Sequence, residues 1–402
     1  MKKKHTQKRL ISGIFLIAGT MTGAGMLGMP LVTATSGFWP GAFVTTLVWF
    51  FMYCTALLFL EVTLWMPDGS HVLSICNHFL GKGGALISGG FFAFLYYCLM
   101  IAYFAAGAPL LAEFLDALFN HHGFFAGWKM FALFAAVFGS IVAISPKSID
   151  RVNLVLSIAM ILAWIVLVGN GGKEVDFTRL QWAYWPAFSF PIPVLFGAFG
   201  FHNVIPSLCT YLKRDRKALR LAIFWGSFLP LIVYLIWQWL VIGSIPRSIL
   251  EKTLLEGGSV TVAFQSIIGS RFFPIVGKYF AFFAIVTSTL GVAFSMVDFL
   301  GDGLKIQRRY GVRRVGLTLF TFLPPFILVL LYPNIFTLIL GMAGGFGEAF
   351  LNGLLPIILL WVGKHTWKRP VDLPWLENKR SLIALSCFAF YVVGLECMHL
   401  LF

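Results

Sequence analysis

Charge is what this chain lacks. Only 11% of its 402 residues are Asp, Glu, Lys or Arg, against about 25% in soluble domains. That shortage excludes a soluble enzyme, whose exterior must be covered with polar groups, and equally a disordered tail. Acidic residues are scarcest, 16 against 30 basic, for a net charge of +14. The six cysteines (Cys54, Cys76, Cys98, Cys209, Cys387, Cys397) form no CxxC pair, so neither a disulfide framework nor a metal site is indicated. No nucleophile elbow, phosphate loop or acidic pair is present. His71 with His78, and the adjacent His121 and His122, lack zinc spacing and fall on opposite sides of the topology below. A membrane-embedded enzyme is therefore a remote alternative, and no cofactor is expected.

What the chain has is apolar surface. Hydrophobic residues make up 59%, Phe alone numbers 43, and the mean hydropathy is +0.87. The basic residues sit in short islands between apolar stretches, unlike the polar, basic surface of a nucleic-acid-binding protein. The class this defines is a polytopic membrane protein with the lipid bilayer as solvent and no nucleic-acid partner.

A bilayer core about 30 Å thick needs roughly 20 apolar residues per helix. On that ruler the sequence predicts an all-α integral membrane protein of about eleven transmembrane helices. They fall near 10–36, 40–65, 84–116, 125–145, 151–169, 190–211, 218–243, 273–299, 315–331, 334–361 and 382–401. The first is too long for the apolar core of a signal peptide, so it is expected to be retained. With a cytoplasmic N-terminus, 23 of the Lys and Arg residues lie inside and 7 outside. The positive-inside rule selects that topology, which puts the C-terminus on the outer side.

Two spans are interrupted. Span one reads Gly19-Thr20-Met21-Thr22-Gly23-Ala24-Gly25-Met26-Leu27-Gly28-Met29-Pro30, and span six reads Gly197-Ala198-Phe199-Gly200-Phe201-His202-Asn203-Val204-Ile205-Pro206. Glycine and proline both weaken a helix interior. Paired interruptions in corresponding spans mark the binding site of a secondary transporter. Five spans separate them, an odd number, so the second unit is inverted. The pattern is a 5+5 inverted repeat with broken helices 1 and 6, plus one extra helix. The whole chain forms a single domain, with repeat one over 10–169, repeat two over 190–361 and the extra helix over 382–401. Ser70 to Leu80 reads as a surface helix capped by Ser70. The long 244–271 connection occupies the equivalent place in repeat two.

A break of this kind frees backbone groups that a zwitterion can satisfy. The segment Thr22 to Met26 offers N–H groups and a positive dipole end to a carboxylate, and Ala18 to Thr20 offers carbonyls to an ammonium or cation. Candidate substrate-binding residues are therefore Thr20, Thr22, Gly23, Ala24, Gly25, Met26, Phe199, Phe201, His202 and Asn203, with a satisfied structural histidine the rival reading for His202. Tyr96 and Tyr97 are added as rings that could stack on a ligand, although among 43 Phe core or lipid contact is the rival reading for any aromatic.

Ionisable groups inside the membrane are functional suspects by default. Glu61 lies near the inner end of span two, where an ion pair with inner basic residues competes with a gating role. Asp298 lies at the inner end of span eight, beside Asp302 and Lys305. Glu348 falls mid-span among Gly344, Gly345, Gly347 and Gly353, and could carry a coupled proton or bond to a neighbouring helix. Thr287 and Ser288 place hydroxyls near the middle of span eight, although membrane hydroxyls usually bond to their own helix. Gly341 and Gly345 have the spacing for close helix packing.

The stretch from Gly19 to Pro30, the segment from Phe199 to Ser207, and Leu290-Gly291-Val292 with Asp298 to Leu304 resemble the bacterial aromatic amino acid permeases. These are the tyrosine-specific and tryptophan-specific permeases of the hydroxy/aromatic amino acid permease family. That family is similar to the leucine-transporter-like superfamily, and the resemblance covers nearly the whole chain. It implies uptake of an aromatic L-amino acid, tyrosine first and tryptophan or a broad aromatic range as the alternative. The implied mechanism is proton symport across a bacterial inner membrane. Sodium-coupled relatives build an ion site from span-one carbonyls and span-eight hydroxyls, which makes Thr287 and Ser288 coupling candidates and leaves sodium open as the coupling ion. A passive channel would explain the spans but not the paired breaks. Oligomeric state is not legible.

Overall fold

A computed structural model describes residues 2–23, 25–120, 123–144, 146–264, 272–306, 311–372 and 378–401. Among them the elements are helical, apart from one isolated antiparallel bridge between Gly37 and Ala183. Among the described residues nine helices are long and apolar enough to cross a membrane, and the bent pair Gln7–Met21 and Gly25–Ala34 adds a tenth. A shorter apolar helix, Trp128–Ile144 of 17 residues, stands where the fourth span is expected, at the short end of the range for a span.

The loops obey the alternation that eleven spans require. Arg216, at the start of span seven, pairs with Asp372 in the connection after span ten. Trp65, at the end of span two, donates to the Pro370 carbonyl in that same connection. Arg314, at the start of span nine, donates to the carbonyl of Val142 near the end of span four. At the opposite face, Tyr184 before span six bonds to Ser36 after span one. Arg179, in the same segment, donates to the carbonyls of Gly243 and Ser244 at the end of span seven. Even-numbered connections thus meet one another, as do odd-numbered ones, and the even face carries the basic islands.

The helix contacts are paired as an inverted repeat demands. Span one packs on seven as span six packs on two, and span three packs on ten as eight packs on five. Spans three and four are matched by eight and nine, and the contact of three with nine by that of eight with four. The lipid side is apolar: Leu154, Val155, Ile158, Ile161, Leu162 and Ile165 of span five are all more than half exposed, where hydrocarbon replaces water.

Three spans are irregular. Span one stops at Met21, resumes at Gly25, and bends by 58°. Span six runs as Ile192–Ala198, a short 3-10 turn at His202–Val204, and Ile205–Tyr211, with Pro206 at the start of the second helix, where its missing N–H costs nothing. Span ten is the third. It is α-helical over Phe336–Met342 and Leu355–His365, but wound as a π-helix over Ala343–Leu354, where the Leu355 N–H returns to the carbonyl of Phe350. The wider coil brings span ten onto the first half of span six so tightly that a Cβ on Gly344 would collide with the Pro193 carbonyl. Gly341 and Gly345 make the expected close contact, and the group they meet is the Glu396 side chain of span eleven.

One local expectation fails. The surface helix before span three begins at Val72 after His71, and Ser70 turns back to the Pro67 carbonyl, so it caps nothing. That helix runs into span three through Gly81, which takes φ +72 at the kink.

Candidate functional site

A cavity of about 90 Å³ lies between the two breaks. Span one contributes Thr20, Met21, Gly23 and Gly25, and span six contributes Gly197, Gly200 and Asn203. Span three supplies Phe92, Leu95, Tyr96, Leu99 and Tyr103, span eight Ser288 and Val292, and span ten Glu348 and Asn352. The breaks make room for it: backbone replaces side chains at Gly23 and Gly200, where a Cβ would run into Ser288 and the Glu348 carboxylate respectively.

The walls have direction. From the level of Gly23, Ser288 and Tyr103, where the Tyr103 hydroxyl lies in hydrogen-bonding reach of Ser288, each helix runs toward the basic face. There the lining becomes Thr20, Phe92, Tyr96, Val292, Asn203 and Asn352. Thr20 and Asn203 are exposed, so the cavity opens at that end. The opposite end is shut. Trp237 lies against Phe280 and Phe264, with ring centroids 5.2 and 6.0 Å apart, over the buried Met26. Phe264 belongs to Val260–Phe264 in the long 244–271 connection, which packs on the second half of span one together with Arg247–Leu255.

Glu348 is buried, and among the described residues lining the cavity it is the one carboxylate, with no Lys, Arg or His beside it. Asn352, one π-turn further along span ten, donates its amide N–H to Glu348 Oε2. Two conditions put an acid here. The glycines around it admit span ten at backbone distance, and Gly200 leaves the space the carboxylate fills.

Of the substrate residues expected from sequence, Thr20, Gly23, Gly25, Tyr96 and Asn203 line the cavity. Ala24 lies outside the described residues. Thr22 turns its hydroxyl and its N–H back to the Ala18 carbonyl, so a carbonyl expected to face a ligand is already taken. Met26 is buried, its carbonyl held by Trp237. Phe199 and Phe201 are fully buried away from the cavity: Phe199 packs edge-on against Tyr234, and Phe201 against His202. His202 also points away, its Nε2 3.0 Å from Thr55 Oγ1 in span two. The Tyr97 hydroxyl bonds to the Phe320 carbonyl of span nine.

The coupling candidates divide similarly. Glu348 and Ser288 reach the cavity, while Thr287 bonds to its own helix at Phe283 and Ala284. Glu61 is an ion-pair anchor, 1% exposed, with Arg216 at 2.7 Å and Arg220 at 3.0 Å. Asp298 lies within electrostatic reach of Arg314. Sequence reasoning missed Tyr103 and Asn352. Asn352 carried a signal, being a polar side chain four residues after an intramembrane acid; Tyr103 carried none among so many aromatics. Also missed was Glu396, buried in span eleven beside His399 at 3.7 Å.

Two interrupted spans enclosing a polar cavity at mid-membrane define a secondary transporter of the 5+5 inverted-repeat class. The crystal structure of MhsT in complex with L-phenylalanine has the same fold. It aligns with a TM-score of 0.58 over 96% of this chain and 97% of that one, at 16% identity. The particular family follows from sequence: the chain belongs to the tryptophan/tyrosine permease family, whose profile matches residues 6–394. It is 32% identical to the tyrosine-specific transport system 1 of Haemophilus influenzae, over 94% of each chain. It is 33% identical to the tryptophan-specific transport protein of the same organism, over 83% of each.

Proposed function

We propose that the protein imports an aromatic L-amino acid by proton symport across a bacterial inner membrane, with tyrosine the first expectation and tryptophan the alternative. The basic face is cytoplasmic, which places the N-terminus inside, the C-terminus outside, and the cavity open to the cell interior. The observation that carries the reading is the Glu348 carboxylate, the one acid among the described residues in the wall of a cavity between two broken spans. A zwitterionic substrate brings no net charge, so a lone carboxylate closed in with it is left uncompensated at membrane depth. A proton taken up with the substrate neutralises it.

The substrate carboxylate faces the start of the second half of span one at Gly23 and Gly25, with Tyr103 and Ser288 beside it. The ammonium faces the negative end of the first half, where Thr20 and Met21 line the wall. The ring then extends toward the basic face between Leu95, Leu99, Tyr96 and Val292. Its phenol or indole donor reaches Asn203 and Asn352.

Purified protein in proteoliposomes tests this directly. Labelled tyrosine should accumulate when an inward proton gradient is imposed, and unlabelled tyrosine, tryptophan and phenylalanine should compete where aliphatic amino acids do not. Uptake that ignores pH and requires sodium would overturn the proton assignment.

A further inference from the structure

Breaking a helix inside a membrane strands backbone carbonyls, and protein groups must satisfy them. One face of span seven does so for both breaks. Tyr234 is fully buried, and its hydroxyl lies 2.6 Å from the carbonyl oxygen of Met21 and 2.9 Å from that of Ala198. Met21 is the last residue of the first half of span one, and Ala198 the last of the first half of span six. Each carbonyl therefore sits at the negative end of a half-helix dipole. The two ends converge on one hydroxyl, whose single hydrogen is shared between them. Trp237, three residues on and so on the same face of span seven, donates its indole N–H to the Met26 carbonyl at 2.9 Å. Met26 lies in the first turn of the second half of span one. Span seven thus grips span one on both sides of its break and span six on one side. The Phe199 ring, 5.1 Å from Tyr234 at 75°, holds the phenol in this direction.

We propose that Tyr234 is a positioning residue for transport. Its hydroxyl ties the first halves of spans one and six together, fixing the gap between Gly23–Gly25 and Gly197–Gly200 to the length of a bound amino acid. Tyr234 does not line the cavity, so it acts through the backbone it holds. Trp237 does the same for the far edge of the break in span one. This role rests on the reading that an aromatic amino acid is carried through that cavity.

Uptake of labelled tyrosine or tryptophan by wild-type proteoliposomes is measured first, so that a failure of the transport reading is recognised separately. Tyr234→Phe keeps the ring and removes only the hydroxyl. It is expected to raise KM about tenfold, with turnover per folded molecule within about twofold of wild type. Trp237→Phe should move KM in the same direction. Gln238→Leu serves as the comparison, because Gln238 is buried on the same helix and its side chain bonds to Thr45 of span two rather than to either break. It should lower thermal stability in detergent and leave KM in place. A Tyr234→Phe protein that behaves like Gln238→Leu, less stable with unchanged KM, overturns the proposal. If Tyr234→Phe does not fold, an unchanged KM in folded Trp237→Phe overturns it instead.

Discussion

Gly200, in the break of span six, lies so close to Glu348 of span ten that a Cβ on the glycine would fall within the carboxylate. Gly200→Ala is therefore expected to push Glu348 off its position. Overpacking a tight site costs about 1–3 kcal/mol, which, taken from substrate recognition, corresponds to roughly five- to 150-fold in kcat/KM for uptake. Adding Glu348→Ala should restore thermal stability by removing the clash, but not uptake. A Gly200→Ala transporter with wild-type kinetics would show that this approach has no bearing on transport.

Glu61 provides a prediction about stability. It is buried while Arg216 and Arg220 are about one-third exposed, so the two arginines can rehydrate when the acid is lost but remain crowded at one helix end. Removing one member of a buried ion pair costs about 3–5 kcal/mol, and partial exposure places this case at about 3 kcal/mol or less. Glu61→Gln should lower the unfolding midpoint in detergent. The double variant Glu61→Gln/Arg220→Gln should cost less than the two single changes added together. Additive losses would mean that the two side chains are energetically independent.

The breaks in spans one and six were legible because glycine and proline are poor helix formers wherever they stand, so their clustering in an apolar run carries a local signal. Glu348 was legible because a carboxylate at membrane depth needs a reason. The partners of these features were not, because they depend on which helices meet. Tyr234, Tyr103 and Trp237 sit among 43 Phe, 11 Tyr and 13 Trp, where no spacing separates a ring that satisfies a stranded carbonyl from one that faces lipid. His202 stayed open between ligand and structural histidine for the same reason: its place inside a break was visible, but the rotation that turns it onto Thr55 was not. The π-helical winding of span ten likewise arises from tertiary contact at backbone distance, which a glycine-rich sequence permits without specifying.

Asn352 tests the direction of the substrate ring. Its amide N–H is committed to Glu348, which leaves its carbonyl to accept a hydrogen bond from a donor in the cavity. Tyrosine and tryptophan carry such a donor at the far end of the ring, and phenylalanine does not. Asn352→Leu also removes the bond to Glu348, which affects all three substrates alike, so it should weaken competition by tyrosine and tryptophan about tenfold more than competition by phenylalanine, since losing one buried hydrogen bond costs about 1 kcal/mol or somewhat more. An equal loss for all three would place the far end of the ring elsewhere.

Glu348→Gln separates the proton from the rest of the cycle. Glutamine preserves the shape of the side chain, and its carbonyl still accepts from Asn352, so the cavity should keep its geometry and bind substrate. Glutamine has no exchangeable charge, so the protein would carry substrate without a proton. Counterflow exchange of labelled for unlabelled substrate needs no net proton movement and should persist. Accumulation driven by an imposed proton gradient should vanish, and exchange should lose its dependence on pH. If Glu348→Gln still concentrates substrate against its gradient, another group carries the proton. Glu396 of span eleven, buried beside His399 and against the glycines of span ten, would then be the next residue to replace.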